Sequence, residues 1–511
     1  MLDNASGNKR IAKNTVFLYL RMIVILLVSL YTTRVVLRVL GAEDYGVFNV
    51  VGGFVTMFSF LNTSLVGATQ RFYNFETSKN GTDGLRRVYT TSLIIQTVLA
   101  ICILLVLETF GVWYVNHIMV VPPNRISAAN YLLQFSIVSL VLVILQNPYS
   151  AAVVSFERMD YYALVGIIEV LLRLLIVIVL PFISADKLII YGVLILCTGI
   201  VNFLLYFVYA KKSFKNLKII KPISKQLFVQ MLSFSGWNMF GTFAGLMKTQ
   251  GLNMLLNYFF GPIVNAARGI SAQIMAALQG FSLNIVAAFR PQLVDSYALS
   301  NYERTRTIMF AESKICYSLV LTLLVPLILE IDFVLHLWLG NDVPEYTSVF
   351  SVIVLLIMLV STLNTPLSQV IHATGKMKVY QLVTGSITCA IIPISWVFLK
   401  LGFSPTSVFI VSFFMTIINQ VASIFVVRKA FPYSIKHYMQ TVIIPCLIMS
   451  ICLPILPSLW RMTMSEGFVR LFLVCLTDIV VASMLFFVIV LNSNERITAI
   501  QMIRKKIRII E

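Results

Sequence analysis

Long apolar runs alternate with short polar ones along the whole chain. Stretches of about 20 residues, the length that crosses a bilayer as an α-helix, occur fourteen times. They lie at about 14–40, 45–68, 88–113, 128–154, 161–183, 188–210, 228–258, 263–289, 307–332, 347–371, 378–400, 405–427, 438–459 and 467–491. The second, seventh and eighth are the least apolar, with stretches such as NVVGGFVTMFSFLNTSLVGATQ. Helices rich in Gly, Asn and Thr suit close packing or a wet cavity, not a lipid face.

Composition supports this pattern. Of 511 residues, 59% are hydrophobic and 12% charged, and the mean hydropathy is +0.90. A soluble chain carries about 25% charged residues. This chain is therefore not a soluble enzyme, a disordered protein or a disulfide-rich secreted one. The expected fold class is an all-α polytopic membrane protein with about 14 transmembrane helices. The seven cysteines (Cys102, Cys197, Cys316, Cys389, Cys446, Cys452, Cys475) all fall inside apolar runs without a CxxC pair. They read as small core hydrophobes, not disulfides or metal ligands. No small-residue cleavage site follows the first apolar run, so no removed signal peptide is expected.

The net charge of +18 would suggest nucleic acid in a soluble protein, but here the basic residues sit between apolar runs. Placing Lys9, Arg10 and Lys13 inside puts Lys79, Arg86, Arg87 and Arg158 inside, followed by the six lysines of 211–225. Arg304, Arg306, Lys376, Lys378, Arg428, Lys429, Lys436 and the tail cations Arg496, Arg504, Lys505, Lys506 and Arg508 follow. Only Arg125, Lys187, Lys400 and Arg461 fall outside. This asymmetry, roughly six to one, predicts an even number of spans with both termini cytoplasmic. Two compensating errors would leave twelve spans. No outside loop exceeds about 15 residues, so the chemistry is expected within the membrane.

The chain also contains a weak internal repeat. VLGAEDYGVFNVVGGF is echoed about 220 residues later by YFFGPIVNAARGISAQI, with Gly41 opposite Gly261, Gly46 opposite Ala266 and, further on, Arg86 opposite Arg306. This predicts an N-lobe of six spans (1–221), a C-lobe of six (222–430), and two extra spans with a basic tail (431–511). An even-numbered repeat relates the lobes by an axis along the membrane normal, as in transporters with parallel repeats.

Charges inside the membrane cost about 2.5–3.5 kcal/mol each on insertion scales, so each requires an account. Arg34 and Arg38 share one face of the first span, with Arg34 about 9 Å from its outer end. Arg268 lies at a similar depth in span eight, and Lys248 near the middle of span seven. Four cations at similar depth repel unless an anion joins them, and Arg matches phosphate through its planar fork. The alternative for Arg34 and Arg38 is snorkelling to the outer interface, paired with Glu43 and Asp44. Arg21, about 220° around the helix from Arg34, is expected to face elsewhere. Arg71 and Arg290 are candidates for cytoplasmic substrate entry, with ordinary positive-inside anchoring as the alternative. Glu169 and Arg173 are spaced to neutralise each other. Asp478 is a lone mid-span acid and a candidate for ion coupling. Glu312 and Lys314 read as interfacial, and Glu330 and Asp332 as marking a span end.

Catalytic signals are weak. His117, His336, His372 and His437 lie in or beside loops without HExxH spacing, and no Walker motif is present. No cofactor is expected. Energy would come from H+, Na+, the membrane potential or the substrate gradient.

The opening NKRIAKNTVFLYLRMIVILLVSLYTTRVVLRVLGAEDYGVFNVVGGFVTMFSFLNTSLVGATQRF resembles the start of bacterial polysaccharide-biosynthesis membrane proteins. These are the Wzx-type oligosaccharide (O-antigen) flippases of the multidrug/oligosaccharidyl-lipid/polysaccharide exporter superfamily. The resemblance is densest over residues 9–90 and looser, in span count, repeat and loop lengths, over the remainder. It implies a V-shaped pair of six-helix lobes, with two extra helices forming a groove for a lipid tail. It further implies alternating access in the bacterial inner membrane, moving an undecaprenyl-diphosphate-linked oligosaccharide from the cytoplasmic to the periplasmic leaflet. Related lipid flippases hold the diphosphate with arginines on the first and eighth helices. Arg34, Arg38 and Arg268 match that pattern by position in span, and Lys248 adds to it. The acidic ion-binding cluster of drug-exporting relatives has no match in span one, which has no acid before Glu43.

Trp237, Tyr31 and Tyr258 are candidates for stacking on sugars, with packing or interfacial belts as the alternative. Membrane lipids, a polysaccharide polymerase and other glycan-assembly proteins are the candidate partners, and nucleic acid is not among them. The competing readings are a multidrug exporter with an acid-lined cavity, a membrane polysaccharide polymerase or acyltransferase, and a scaffold that needs no buried cations. A polymerase would carry a large outside loop, and a histidine-dependent acyltransferase an intramembrane His.

Overall fold

The computed structural model describes the backbone of residues 2–492 and 495–497, apart from 157, 215–216 and 221–224. Side chains are described over the same range except at 2–26, 61–64, 67–68, 74, 78–79, 233–239, 283–284, 287–288, 291 and 298. The side chains of Lys9, Arg10, Lys13, Arg21, Lys79 and Trp237 fall outside this description. Lys215, Lys221, Arg504, Lys505, Lys506 and Arg508 lie wholly outside the described residues.

All regular structure among the described residues is helical. The chain runs through α1 (Leu2–Thr56), α2 (Ser59–Val106), α3 (Val112–His117), α4 (Ile126–Ser155), α5 (Met159–Val179) and α6 (Lys187–Ser213). It continues with α7 (Lys225–Leu246), α8 (Leu252–Phe260), α9 (Pro262–Ala298), α10 (Tyr302–Leu329), α11 (Ile331–Leu339), α12 (Thr347–Thr362) and α13 (Asn364–Thr374). It ends with α14 (Met377–Lys400), α15 (Thr406–Ala430), α16 (Ile435–Tyr438), α17 (Ile444–Cys452), α18 (Ile455–Thr463) and α19 (Phe468–Leu485).

Among the described residues, nine helical segments are long and apolar enough to cross a bilayer. The count is ten when α12 and α13, bent by 40° at Leu363, are taken as one broken span. The remaining sequence candidates fall on α1, the α1–α2 junction and α7 to α9, which include the Gly-, Asn- and Thr-rich stretches. Large apolar side chains point outward, including Phe182 (86% exposed), Phe472 (65%) and Leu105 (60%). A surface this apolar needs lipid around it. The chain is an all-α, multi-pass membrane protein, in keeping with about fourteen crossings.

Two compact units are distinguished. The first comprises Met1–Ile270 with Ile392–Pro405, and the second Ser271–Ile391 with Thr406–Glu511. In the first unit, Val47, Val50 and Phe54 of α1 pack with Leu132, Leu133 and Ile137 of α4, and Phe54 stacks on Tyr114 at 4.8 Å. A second cluster joins Tyr73 and Tyr89 of α2, Tyr149 and Val153 of α4, and Met231 of α7. The second unit is built on α10, which packs against α12, α13, α17 and α19.

The two glycines paired by the sequence echo share a backbone conformation. Gly41 has φ 79, ψ 168, and its counterpart Gly261 has φ 77, ψ −171. Only glycine occupies this region readily. Each residue reverses a hairpin. The Tyr45 side chain lies beside Thr33, and the Asn265 amide donates to the Asn253 carbonyl at 2.8 Å. In a straight helix, residues twelve apart would be about 18 Å apart. The two pairs are themselves equivalent in the repeat: 33 with 253, and 45 with 265. Gly41→Ala is therefore expected to cost about 1–3 kcal/mol, read as a lower unfolding temperature in lipid. Gly245→Ala serves as the control, because nothing lies within 4 Å of a Cβ there. Equal stability of the two variants would contradict the strain argument.

At the Gly41 end of the first unit, three connections are tied by one guanidinium. Arg125 donates through Nε to Asp44 Oδ1 at 2.7 Å and through Nη1 to Asp186 Oδ2 at 2.6 Å, and its Nη2 also reaches Asp44. Asp186 caps α6, accepting from the Leu188 and Ile189 amides. Partial burial works to raise the Asp186 carboxyl, but the Ile189 amide, Arg125 and the Leu188 amide together hold it below the ordinary carboxylate value. A depressed acid stabilises the fold above its unfolded pKa, about 3.9 for Asp, and that stability is lost as pH falls through the lower folded value. The unfolding temperature of Asp186→Asn is expected to fall less steeply on the acid side than that of the unaltered protein. Parallel acid limbs would exclude a contribution from this clasp.

Candidate cationic site

The local sequence of the seventh span explains how its cation is presented. Met247–Gly251 (MKTQG) forms a single π-helical turn between α7 and α8. Such a turn inserts one residue and shifts the backbone carbonyls out of register with the α-helical ladder. Lys248 lies in this turn. The Thr249 carbonyl accepts a hydrogen bond from Arg268 Nη2 on α9. Lys248 and Arg268, both half-buried, are close enough for their charges to interact. Arg268 Nε is buried without a hydrogen-bond partner. Among the described residues, no carboxylate pairs with Arg268 or Arg38.

A polar seam surrounds this pair. Asn253 donates from Nδ2 to Gln250 Oε1 at 2.8 Å, and the Asn49 amide of α1 donates to the Tyr45 carbonyl at 2.7 Å. Small residues allow the helices to meet here. A Cβ on Gly46 would lie 1.9 Å from the Pro262 carbonyl oxygen, and one on Gly53 would lie 2.4 Å from Gln250 Oε1. The Gly- and Asn-rich composition marks these helices as closely packed or wet. It does not single out Asn49, Gln250, Asn253 or Asn265, whose amides carry the seam.

The other candidates are placed as follows. Arg34 is half-buried and Arg38 exposed, one turn apart on α1 in the same unit as Lys248 and Arg268. Asp44, one of the two expected snorkelling partners, is held instead by Arg125. Arg71 on α2 and Arg290 on α9 are both exposed, and Arg290 acts electrostatically on His372. They belong to different units. Tyr31 and Tyr258 are about half-exposed, at 52% each. Glu169 and Arg173 pair at 2.8 Å as expected.

Asp478 is fully buried, and neither carboxylate oxygen has a hydrogen-bond partner. Glu312 and Lys314, read as interfacial, are both buried among helices, at 0% and 2% exposed. Lys314 Nζ is held at 2.6 Å by Glu495, and Glu312 accepts at 2.6 Å from Gln369. Helix position alone did not reveal this burial, which comes from the packing of α12, α13, α17 and α19 around α10. Glu330 is also buried and pairs with Arg470. All seven cysteines are free, but Cys102 and Cys197 are exposed, so these two are not core residues.

No protein-family model matches the chain, and no curated protein matches it by sequence. Solved structures do match by fold. An inward-facing multidrug-resistance MATE family transporter of the MOP superfamily aligns with TM-score 0.65 at 13% identity, covering 80% of this chain and 98% of that one. The lipid II flippase MurJ in an inward closed conformation aligns with TM-score 0.64 at 15% identity, covering 93% and 98%. An outward-facing MATE transporter aligns with TM-score 0.59 at 13% identity, covering 83% and 97%. The chain thus has the fold shared by the MATE transporters and the lipid II flippase MurJ.

Proposed function

We propose that this chain is a flippase moving an undecaprenyl-diphosphate-linked oligosaccharide, an O-antigen or capsule repeat unit, from the cytoplasmic to the periplasmic leaflet. The observation that carries this reading is the Lys248–Arg268 pair, two cations within mutual electrostatic range inside an apolar helix bundle. Arg268 Nε has no partner there, and no carboxylate among the described residues pairs with it. Arg34 and Arg38 supply further cations on α1 of the same unit. A diphosphate offers the charge and the oxygens that such a group lacks. The prenyl tail remains in lipid while the anion crosses in the polar seam.

The wider match to the flippase, 93% of this chain against 80% for the MATE transporter, agrees with two extra spans at the C-terminus. Arg71 and Arg290 are assigned to cytoplasmic entry, and Asp478 to ion coupling. The protein works in the bacterial inner membrane with both termini cytoplasmic, beside glycan-assembly proteins such as a polymerase, and acts as a transporter, not an enzyme. A multidrug exporter is the second reading, supported by the MATE likeness. The absence of a paired carboxylate at Arg268 favours an anionic substrate over cationic drugs.

Deleting the protein in its own bacterium and extracting the lipids tests this. Prenyl-diphosphate oligosaccharide accumulating on the cytoplasmic leaflet, with surface glycan lost, is the expected result. Normal glycan with new drug sensitivity would overturn it in favour of the exporter.

A further inference from the structure

Glu312 and Gln369 show an unusual pattern of hydrogen bonding. Gln369 Nε2 donates to Glu312 Oε1 at 2.6 Å. The other carboxylate oxygen, Oε2, is buried without a partner, and so is Gln369 Oε1. The residues are 0% and 7% exposed. A carboxylate and an amide joined by one N–H bond thus leave one acceptor on each partner without a donor. Buried acceptors without donors are costly. One proton would satisfy both. Placed on Glu312 Oε2, it donates to Gln369 Oε1, and acid and amide close into a ring of two parallel hydrogen bonds.

The location gives that proton a mechanical consequence. Glu312 stands on α10, the central helix of its unit, about 15 Å along it. Gln369 stands on α13, the half-helix after the 40° break at Leu363. Broken spans are where transporters place ion sites and move. The neighbours leave Glu312 without a counter-charge. Cys316 interacts with it from its own helix, Lys314 is held by Glu495, and Tyr438 of α16 lies beside Ser313. Within α12 no residue is titratable. His372 of α13 is exposed and feels Arg290. Cys446 of α17 feels Lys314. Asp478 of α19 lies about 15 Å away along the bundle, towards the Glu330–Arg470 end.

We propose that Glu312 is a proton-binding site whose occupancy ties or releases the half-helix α13 through Gln369. The proton comes from water and binds Oε2, forming one O–H bond and neutralising the carboxylate. Its departure as hydronium restores a carboxylate with one donor-less oxygen beside a donor-less amide oxygen, which weakens the tie between α13 and α10. The site needs no assumption about the transported molecule. Its test uses the protein without substrate, so failure here leaves the diphosphate reading standing, and the reverse also holds.

The test follows the full-length protein in lipid vesicles from mildly acid to mildly alkaline pH by two measurements. Infrared difference spectra report the C=O band of a protonated buried carboxyl, and amide hydrogen exchange, corrected for its intrinsic pH dependence, reports α13. The expected result is a band that titrates and is absent in Glu312→Gln but present in Asp478→Asn. Exchange across α13 is expected to rise about fivefold or more as the proton leaves, a usual size for coupling between sites. In Glu312→Gln, an amide pair replaces the ring and α13 exchange becomes insensitive to pH. In Gln369→Leu, the band persists while α13 no longer follows it, so the proposal stays testable even if the first variant fails to fold. A pH response of α13 that survives in either variant, or no response in the unaltered protein, overturns the proposal. Protection of α13 by sodium over choline chloride at fixed pH, without the carboxyl band, overturns the proton in favour of Na+.

Discussion

On the proposed flippase reading, Arg268→Ala is expected to stop export of the lipid-linked oligosaccharide while leaving the protein in the membrane at its normal level. Truncating one partner of a desolvated charge interaction costs about 2–5 kcal/mol. At about 1.4 kcal/mol per decade, that is a loss of roughly 30-fold or more in transport rate. Arg268 also donates to the Thr249 carbonyl, so a fall in activity alone would not separate binding from local packing. Two companion variants make the distinction. Lys248→Ala removes the neighbouring charge and leaves that hydrogen bond in place, and it should lose activity comparably. Arg268→Lys keeps the charge but loses the planar fork, and should recover only part of the rate. The exposed Lys218 is the control, and Lys218→Ala should be silent. Measurement of surface glycan beside protein level reads all four. Full export in both alanine variants at positions 248 and 268 would end the anion-site reading.

Arg470→Ala is expected to be the most destabilising single substitution considered. Arg470 is 5% exposed and donates from Nη2 to Glu330, which is 1% exposed, tying α19 to the end of α10. Its Nη1 also donates to the Met464 carbonyl at 3.2 Å. Removing one member of a buried pair strands the other charge, at about 3–5 kcal/mol. The double variant Arg470→Leu with Glu330→Gln leaves no charge behind and should recover much of the loss. Unfolding temperatures of the single and double variants in the same detergent or lipid check this. A single variant as stable as the unaltered chain would show that Glu330 finds another partner.

Much of this was legible in the sequence. The all-helical class and the apolar spans follow from apolar run length, and the shared backbone conformation of Gly41 and Gly261 follows the sequence echo between them, because those signals are local. The membrane cations were legible too, since a charge in an apolar run declares itself. The partnerships were not. Asp44 is close in sequence to Arg38, yet Arg125, eighty-one residues on, holds it. Glu312 and Lys314 were read from depth alone, and only the helices packed around α10 reveal their burial. The Glu330–Arg470 pair spans one hundred and forty residues, a separation on which no run or spacing carries information. The π turn at Lys248 was equally hidden, because its one-residue insertion leaves no compositional trace.

The close approach at Gly46 has one more consequence. A Cβ there would strike the Pro262 carbonyl oxygen and carbon, so α1 and the start of α9 meet through main-chain atoms. Main-chain atoms are the same whatever residue bears them. Side chains elsewhere along these two helices can therefore drift without loosening that joint, provided position 46 remains glycine. A joint of this kind constrains one position and leaves its neighbours free to change.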